Sequence, residues 1–332
     1  MGAGVMGLCL AWELTRRGAE VELCDSAGPG TGASMGLVGA LAPHAPDNWN
    51  EAKALQLEAL LLAAPFWAEV AQGFGAGVGF ARLGRVQPLA DQAALDRAQV
   101  RADEARRNWG PGFVWQLRRA EAVPGLRLAC DWVVHDTLTA RITPRRAIAA
   151  LLAKLGSRGV YARIAPAPSD GADRVVWATG AAGLISAGLG GGQKGQAAVL
   201  LAPEWRNAPQ ISAPGLHIVP HEDGNVAIGS TSERAFDDPK STDALLEAVI
   251  DRARGLCPEL AAAPVIARWA GLRPRAASRQ PVLGPLADGD FIMNGGFKTG
   301  FAMAPLMASM LADLLLDGTD RIPAAWRPPL QA

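Results

Sequence analysis

The chain opens on Gly2-Ala3-Gly4-Val5-Met6-Gly7, and Asp25 follows at the end of a strand-like run. A bound dinucleotide needs a turn free of side chains, so that backbone N–H groups at a helix N-terminus meet the pyrophosphate. It also needs an acid about 20 residues on, to take the ribose hydroxyls. Arg273 lies in WAGLRPRAASRQP, between a glycine turn and a stiffening proline. There it reads either as a planar fork for a carboxylate or as a surface arginine in a turn. In NGGFKTGFAMAP (294–305) a strand ends in a Gly-rich loop that opens a helix, a place that stabilises negative charge. Lys298 stands inside that loop, in a chain whose other lysines are Lys53, Lys154, Lys194 and Lys240. RVVWATGAAG (174–183) runs a strand into Ala178-Thr179-Gly180, which either turns close to a cofactor or merely ends a strand. His217 and His221 fall on one face of a strand run, with Glu222 and Asp223 in the following turn. A metal pair needs more ligands than that, so no metal site is expected. No GxSxG segment offers a nucleophile elbow.

These residues need elements to hold them. Helical periodicity predicts helices over 5–17, 51–72, 91–108, 143–159, 241–256 and in the closing GFAMAPLMASMLADLLLDG. Thr143 and Pro144 mark one helix start. Strands are predicted at AEVELCD, VYARIAP, RVVWATG, GQAAVLL, GLHIVP, NVAIGS, VIARWAGLRP and DFIMNGG, with short β structure in GFARLGRVQPL and a hairpin turn at HEDGN. The order implies an α/β architecture with two discontinuous domains, one doubly wound and one a mixed, largely antiparallel sheet with helices. No strand precedes Gly2 in this sequence, so either the start lies further upstream or the central strand of the first sheet is missing.

Composition narrows the classes. The 332 residues are 49% hydrophobic and 19% charged, which is globular. Lys+Arg and Asp+Glu are 32 each, so no basic nucleic-acid footprint is expected. Cys9, Cys24, Cys130 and Cys257 form no CxxC pair and read as small buried hydrophobes in a reducing compartment. The apolar stretch 301–316 is broken by Pro305 and Asp313 and reads as too short for a membrane span. No signal peptide is read at the start, and the expected location is cytoplasmic.

Taken in order, these segments resemble the FAD-dependent D-amino-acid oxidase family, closest to its bacterial glycine oxidase-like amine oxidases. The resemblance runs from Gly2 to about Gly318 and is most specific at GASMGLVGALAPH, AGLRP and GGFKTGFAMAP. It implies a glutathione-reductase-like (Rossmann-type) FAD domain over 1–47, 144–194 and 271–320. A substrate domain over 48–143 and 195–270 would roof the flavin. Gly2, Gly4, Val5, Met6 and Gly7 would hold the pyrophosphate, with Asp25 and Ser26 at the adenosine ribose and Ile164 on the adenine side. Ala33, Ser34, Val38, Gly39 and Ala40 would run beside the ribityl chain and ring, near Thr179 and Gly180. Gly296, Phe297, Lys298, Thr299 and Gly300 would line the pyrimidine end. Arg273 matches the carboxylate-binding arginine. Lys298 falls where glycine oxidase carries a second active-site arginine, and His217 where it carries a substrate-side tyrosine. Both departures loosen the inference to glycine as substrate. The loop SMGLVG holds no histidine to attach flavin covalently, so non-covalent FAD is expected.

The implied reaction is oxidation of a small amino acid or secondary amine by hydride transfer to flavin, then imine hydrolysis, with oxygen or another acceptor closing the cycle. Three other readings stay open. They are a quinone-linked D-amino-acid dehydrogenase, an oxidoreductase modifying a tRNA wobble base, and an inactive FAD-fold binding protein. Oligomeric state is left open.

Overall fold

The computed structural model of the chain describes residues 1–329. α1 (Val5–Arg16) is buried on all sides from Val5 to Glu13, as its apolar run allows. It packs on the closing helix α7 (Gly300–Asp317) and on α4 (Pro144–Gly156). Arg17 ties α1 to α7 through an ion pair with Asp313 at 2.6 Å.

β1 (Leu23–Asp25) pairs in parallel with β7 (Ala162–Ile164). A second group orders β14 (Val282–Pro285), β15 (Phe291–Asn294) and β8 (Val176–Trp177), the last two parallel. Between these groups run the first residues of the chain. Gly2 N–H donates to Cys24 O at 2.7 Å, Ala178 N–H to Met1 O at 2.8 Å, and the Met1 ammonium to Val176 O at 2.8 Å. The place of a central strand is thus threaded by three residues, and the two groups are joined through them. With α1, α4 and α7 this makes the doubly wound, Rossmann-type half.

The other half is an eight-stranded sheet ordered β13 (Val265–Ala276), β9 (Gly190–Leu201), β12 (Asn225–Gly229), β11 (Leu216–Pro220), β10 (Gln210–Ala213), β3 (Arg85–Pro88), β5 (Trp132–Asp136), β4 (Trp115–Arg119). Every pairing is antiparallel except β10 with β3. Period-two alternation gives the sheet two faces. Leu216, Ile218, Val226 and Ile228 join the core that includes Val249 and Ala253 of α6 (Ala244–Leu256). Val219, Ala197, Val199 and Ala227 point the other way and pack against Leu37 and Val38. That second face carries the odd-numbered residues of β9, β11 and β12 and, past a bulge, those of β13 from Ala267 on, and it is where the site forms.

The fold departs from the sequence expectations in places. β4, β5, β10 and β14 were not anticipated, and RVVWATG forms only the two-residue β8. The stretch read as too short to span a membrane is part of α7, whose 18 residues pass that test of length and apolarity, as do the 21 of α2 (Glu51–Ala71). In α7 the apolarity serves the core, where Ala304, Met307, Ala308 and Leu311 are fully buried among α1 and α2 residues.

Candidate active site

The first wall is the N-terminus of α1. Gly4 caps it without any side-chain hydrogen bond. Val5 N–H donates to Ser34 Oγ at 2.9 Å, and Ala3 N–H to Asp25 Oδ2 at 2.8 Å. Ser34 and Asp25 therefore flank the glycine turn, as the sequence order required. Gly7 is held to its type by contact: a Cβ there would lie 1.8 Å from Gly2 O. Ser26 follows Asp25 into the next loop, Ala33 opens the short helical turn that contains Ser34, and Gly39 and Ala40 lead into β2 (Ala40–Leu41). The side chain of Ile164, 70% exposed, lies beside the Gly28 loop. Thr179 caps α5 (Gly180–Ser186), and Gly180 O accepts from Asn294 Nδ2 at 2.9 Å.

The loop at the N-terminus of α7 meets this wall. A Cβ on Gly296 would lie 2.3 Å from Met6 Cε. Thr299 caps α7, with its N–H and Oγ1 both donating to Gly296 O. Phe297 N–H donates to Pro274 O at 3.1 Å, which fastens the loop to β13. A phosphate-bearing cofactor laid from Asp25 past α1 to Gly300 thus meets a glycine turn and two helix N-termini. The residues present fit a dinucleotide.

The sheet face supplies the opposite wall. Arg273 on β13 is buried, and its guanidinium lies across Gly195 of β9. It donates to Ser230 Oγ at 2.7 Å and to the carbonyls of Thr231 at 2.6 Å and Lys194 at 3.3 Å. Its Nε is buried and has no partner among the described residues. Burial pulls its pKa down to about 10, against the raising influence of Glu233. Glu233 is itself held by Gln196 and Thr231.

His217 on β11 faces the same side, opposite Gly229 in the register. Burial, then the charges of Arg85, Lys298 and Arg273, push its pKa down to about 4. Its imidazole is neutral at pH 7. His221 stands just past the end of β11 and takes other partners, Thr143 Oγ1 at 3.2 Å and Leu37 O at 3.3 Å. Lys298 is exposed at the mouth, its pKa lowered by partial burial and then by Arg273 and Arg275. Arg273, His217 and Lys298 are thus brought together, the grouping the family resemblance implied.

Three neighbours were not anticipated. Arg275 shares the face of Arg273 and bonds Gln193, and Arg85 of β3 reaches toward His217 from a buried pair with Asp136 at 2.8 Å. His44 has its pKa lowered by burial, then by Lys53 and Arg85. A separate cleft of about 1110 Å³ is bounded by loop 119–131 with Glu204, Trp205 and Glu259. Four acids and two arginines line it, and it contains none of the residues above.

The family model described as FAD dependent oxidoreductase, DAO, matches residues 1–314. The chain belongs to that family. Its cofactor is FAD, and the chain is an FAD-dependent oxidoreductase. Among its relatives, the glycine oxidase of Pseudomonas aeruginosa is 29% identical over 99% of this chain and 97% of its own. The fold is shared with two solved structures. The iminodiacetate oxidase of Chelativorans sp. BNC1 superposes with a TM-score of 0.85 at 24% identity, covering 98% of this chain and 97% of that one. The glycine oxidase of Geobacillus kaustophilus gives 0.84 at 23% identity, covering 98% and 96%.

Proposed function

We propose that this flavoprotein oxidises the C–N bond of a small amino acid or carboxylate-bearing secondary amine. One observation carries the reading: a buried arginine, Arg273, has an Nε with no partner among the described residues, on the strand whose next carbonyl, Pro274 O, holds the flavin-side loop. A carboxylate on Arg273 places the amine over the flavin between that loop and His217. FAD supplies, when bound, the two-electron acceptor for the hydride leaving the carbon that bears nitrogen. Arg273 orients the substrate by a charge-assisted contact. Neutral His217 adds no positive charge beside the amine, which must be unprotonated to lose hydride. The sheet face and the 37–40 segment keep water from the reacting carbon, and the imine hydrolyses afterwards to a keto acid or aldehyde. Oxygen or another acceptor takes the electrons, with peroxide as product in the first case.

The cofactor assignments stand as part of this proposal. Gly2, Gly4, Val5, Met6 and Gly7 hold the pyrophosphate. Asp25 and Ser26 take the ribose, with Ile164 toward adenine. Ala33, Ser34, Val38, Gly39, Ala40, Thr179 and Gly180 flank the ribityl chain and ring. Gly296 to Gly300 close the pyrimidine end. FAD is held non-covalently, and the protein works in the cytoplasm. The FAD domain is assigned to 1–47, 144–194 and 271–320, with β9 and β13 continuous across its edges.

The test is the visible spectrum of the purified protein before and after heating, followed by anaerobic addition of amino acids and N-methyl amino acids. Flavin near one per chain, freed by heat as FAD and bleached by one of these amines, is expected. A flavin that no amine reduces overturns the reading.

A further inference from the structure

Three cations surround one ring. The Arg273 and Arg275 guanidinium carbons and the Lys298 ammonium lie 5.3, 5.0 and 5.6 Å from the Phe297 centroid. Among the described residues none of the three forms an ion pair within 4.0 Å. Glu233, the acid that acts on Arg273, lies 3.8 Å from Lys194 and bonds Gln196. Like charges this close repel one another unless anions separate them. The reading above places a substrate carboxylate on Arg273 and Lys298 at the flavin edge. Arg275 then has no counter-charge.

Arg275 is nevertheless aimed. Its NH1 donates to Oε1 of Gln193, a buried amide whose Nε2 is fixed by donation to Ser232 Oγ at 2.9 Å. Arg273 and Arg275 alternate to the same face of β13, so their Cα atoms stand roughly 6–7 Å apart. Two carboxyl carbons separated by four bonds span about 5 Å, which matches two such side chains leaning toward one ligand.

We infer that the physiological substrate is an amine carrying two carboxylates, one on Arg273 and the second on Arg275. This rests on the amine-oxidation reading and narrows its substrate class to imino-diacids and acidic amino acids. Arg275 is the specificity-determining residue. An amine with one carboxylate would leave it half-buried against Phe297 without an anion.

The experiment uses the FAD-loaded protein and two ethers that cannot be oxidised as amines. Diglycolate carries two carboxylates and methoxyacetate one. Each is titrated while the flavin absorption is followed, and the Kd values are compared. Diglycolate is expected to bind roughly 10- to 100-fold more tightly, the range for one added charge-assisted contact. Arg275→Gln should bring the ratio to about 1, and Arg275→Lys should restore part of it. Equal Kd values in the native protein, or a ratio unchanged in Arg275→Gln, overturn the inference. If methoxyacetate perturbs the flavin and monocarboxylate amines bleach it while diglycolate gains nothing, only this inference fails. If neither ether perturbs the flavin and no amine bleaches it, the amine-oxidation reading fails with it.

Discussion

A methyl group on Gly195 would lie 2.6 Å from Cζ of Arg273 and 2.7 Å from its NH2. The bare backbone of β9 is therefore the bed on which the Arg273 guanidinium rests. Gly195→Ala must lift or rotate that group, and overpacking of this kind costs about 1–3 kcal/mol. The expected result is a KM for carboxylate substrates raised roughly 10-fold or more, with flavin content kept. Steady-state kinetics beside an absorption ratio at the flavin and protein bands would check it. A large loss of flavin with KM unchanged would place the strain elsewhere.

Arg273→Ala removes the anchor itself. Truncating one partner of a buried, hydrogen-bonded charge pair costs about 2–5 kcal/mol. KM for amino-acid substrates should rise roughly 100-fold or more, while FAD per chain stays near that of the parent. Equal losses in both would remove Arg273 from the substrate side.

Gly7→Ala acts on the other wall, because its Cβ would overlap Gly2 O. The turn must open, and the same 1–3 kcal/mol corresponds to roughly 10- to 100-fold weaker FAD binding. Fluorescence titration of the apoprotein with FAD measures this directly. A circular-dichroism melt shows whether the fold itself survives.

How much of this was legible in the residues varied with range. α1, α4 and α7 announce themselves by apolar periodicity, and α4 also by Thr143 and Pro144 at its start. β4 and β10 do not, since Trp115–Arg119 and Gln210–Ala213 mix polar and apolar residues and are strands because β5 lies beside the first and β11 and β3 flank the second. Arg273 and Lys298 could be found from their Gly- and Pro-bounded loops. Arg275, Gln193 and the role of Gly195 could not, because they meet through the β9–β13 register, which pairs Arg273 with Gln193 and Gly271 with Gly195. A run of glycines in β9 was the available signal: strands shed side chains where something large must approach.

The buried His221 makes stability pH-dependent. Its Nε2 faces the Leu37 carbonyl, which only accepts, so Nε2 carries the proton and Nδ1 accepts from Thr143. Burial, then Arg141, push its pKa from 6.5 to about 4. A folded pKa below the unfolded one means that the unfolded chain binds the extra proton first. The stabilisation is complete above pH 6.5 and is lost as pH falls from 6.5 to about 4. The loss from this one group is about 3 kcal/mol. Thermal melts across that window should show Tm falling with acid, and less steeply in His221→Gln. Identical slopes would assign the acid sensitivity to other groups.

Pro274 O ties the flavin-side loop to β13 between Arg273 and Arg275. On the proposed reading β13 gauges both partners of the reaction, because the loop follows the strand as long as the Phe297–Pro274 hydrogen bond holds. Any relative of this chain that takes up a bulkier amine must find the room across the gap, at His217 and the β11–β12 side. On the proposed reading the carboxylate contacts are fixed along β13, and only the bulk of the substrate is free to vary on the other side.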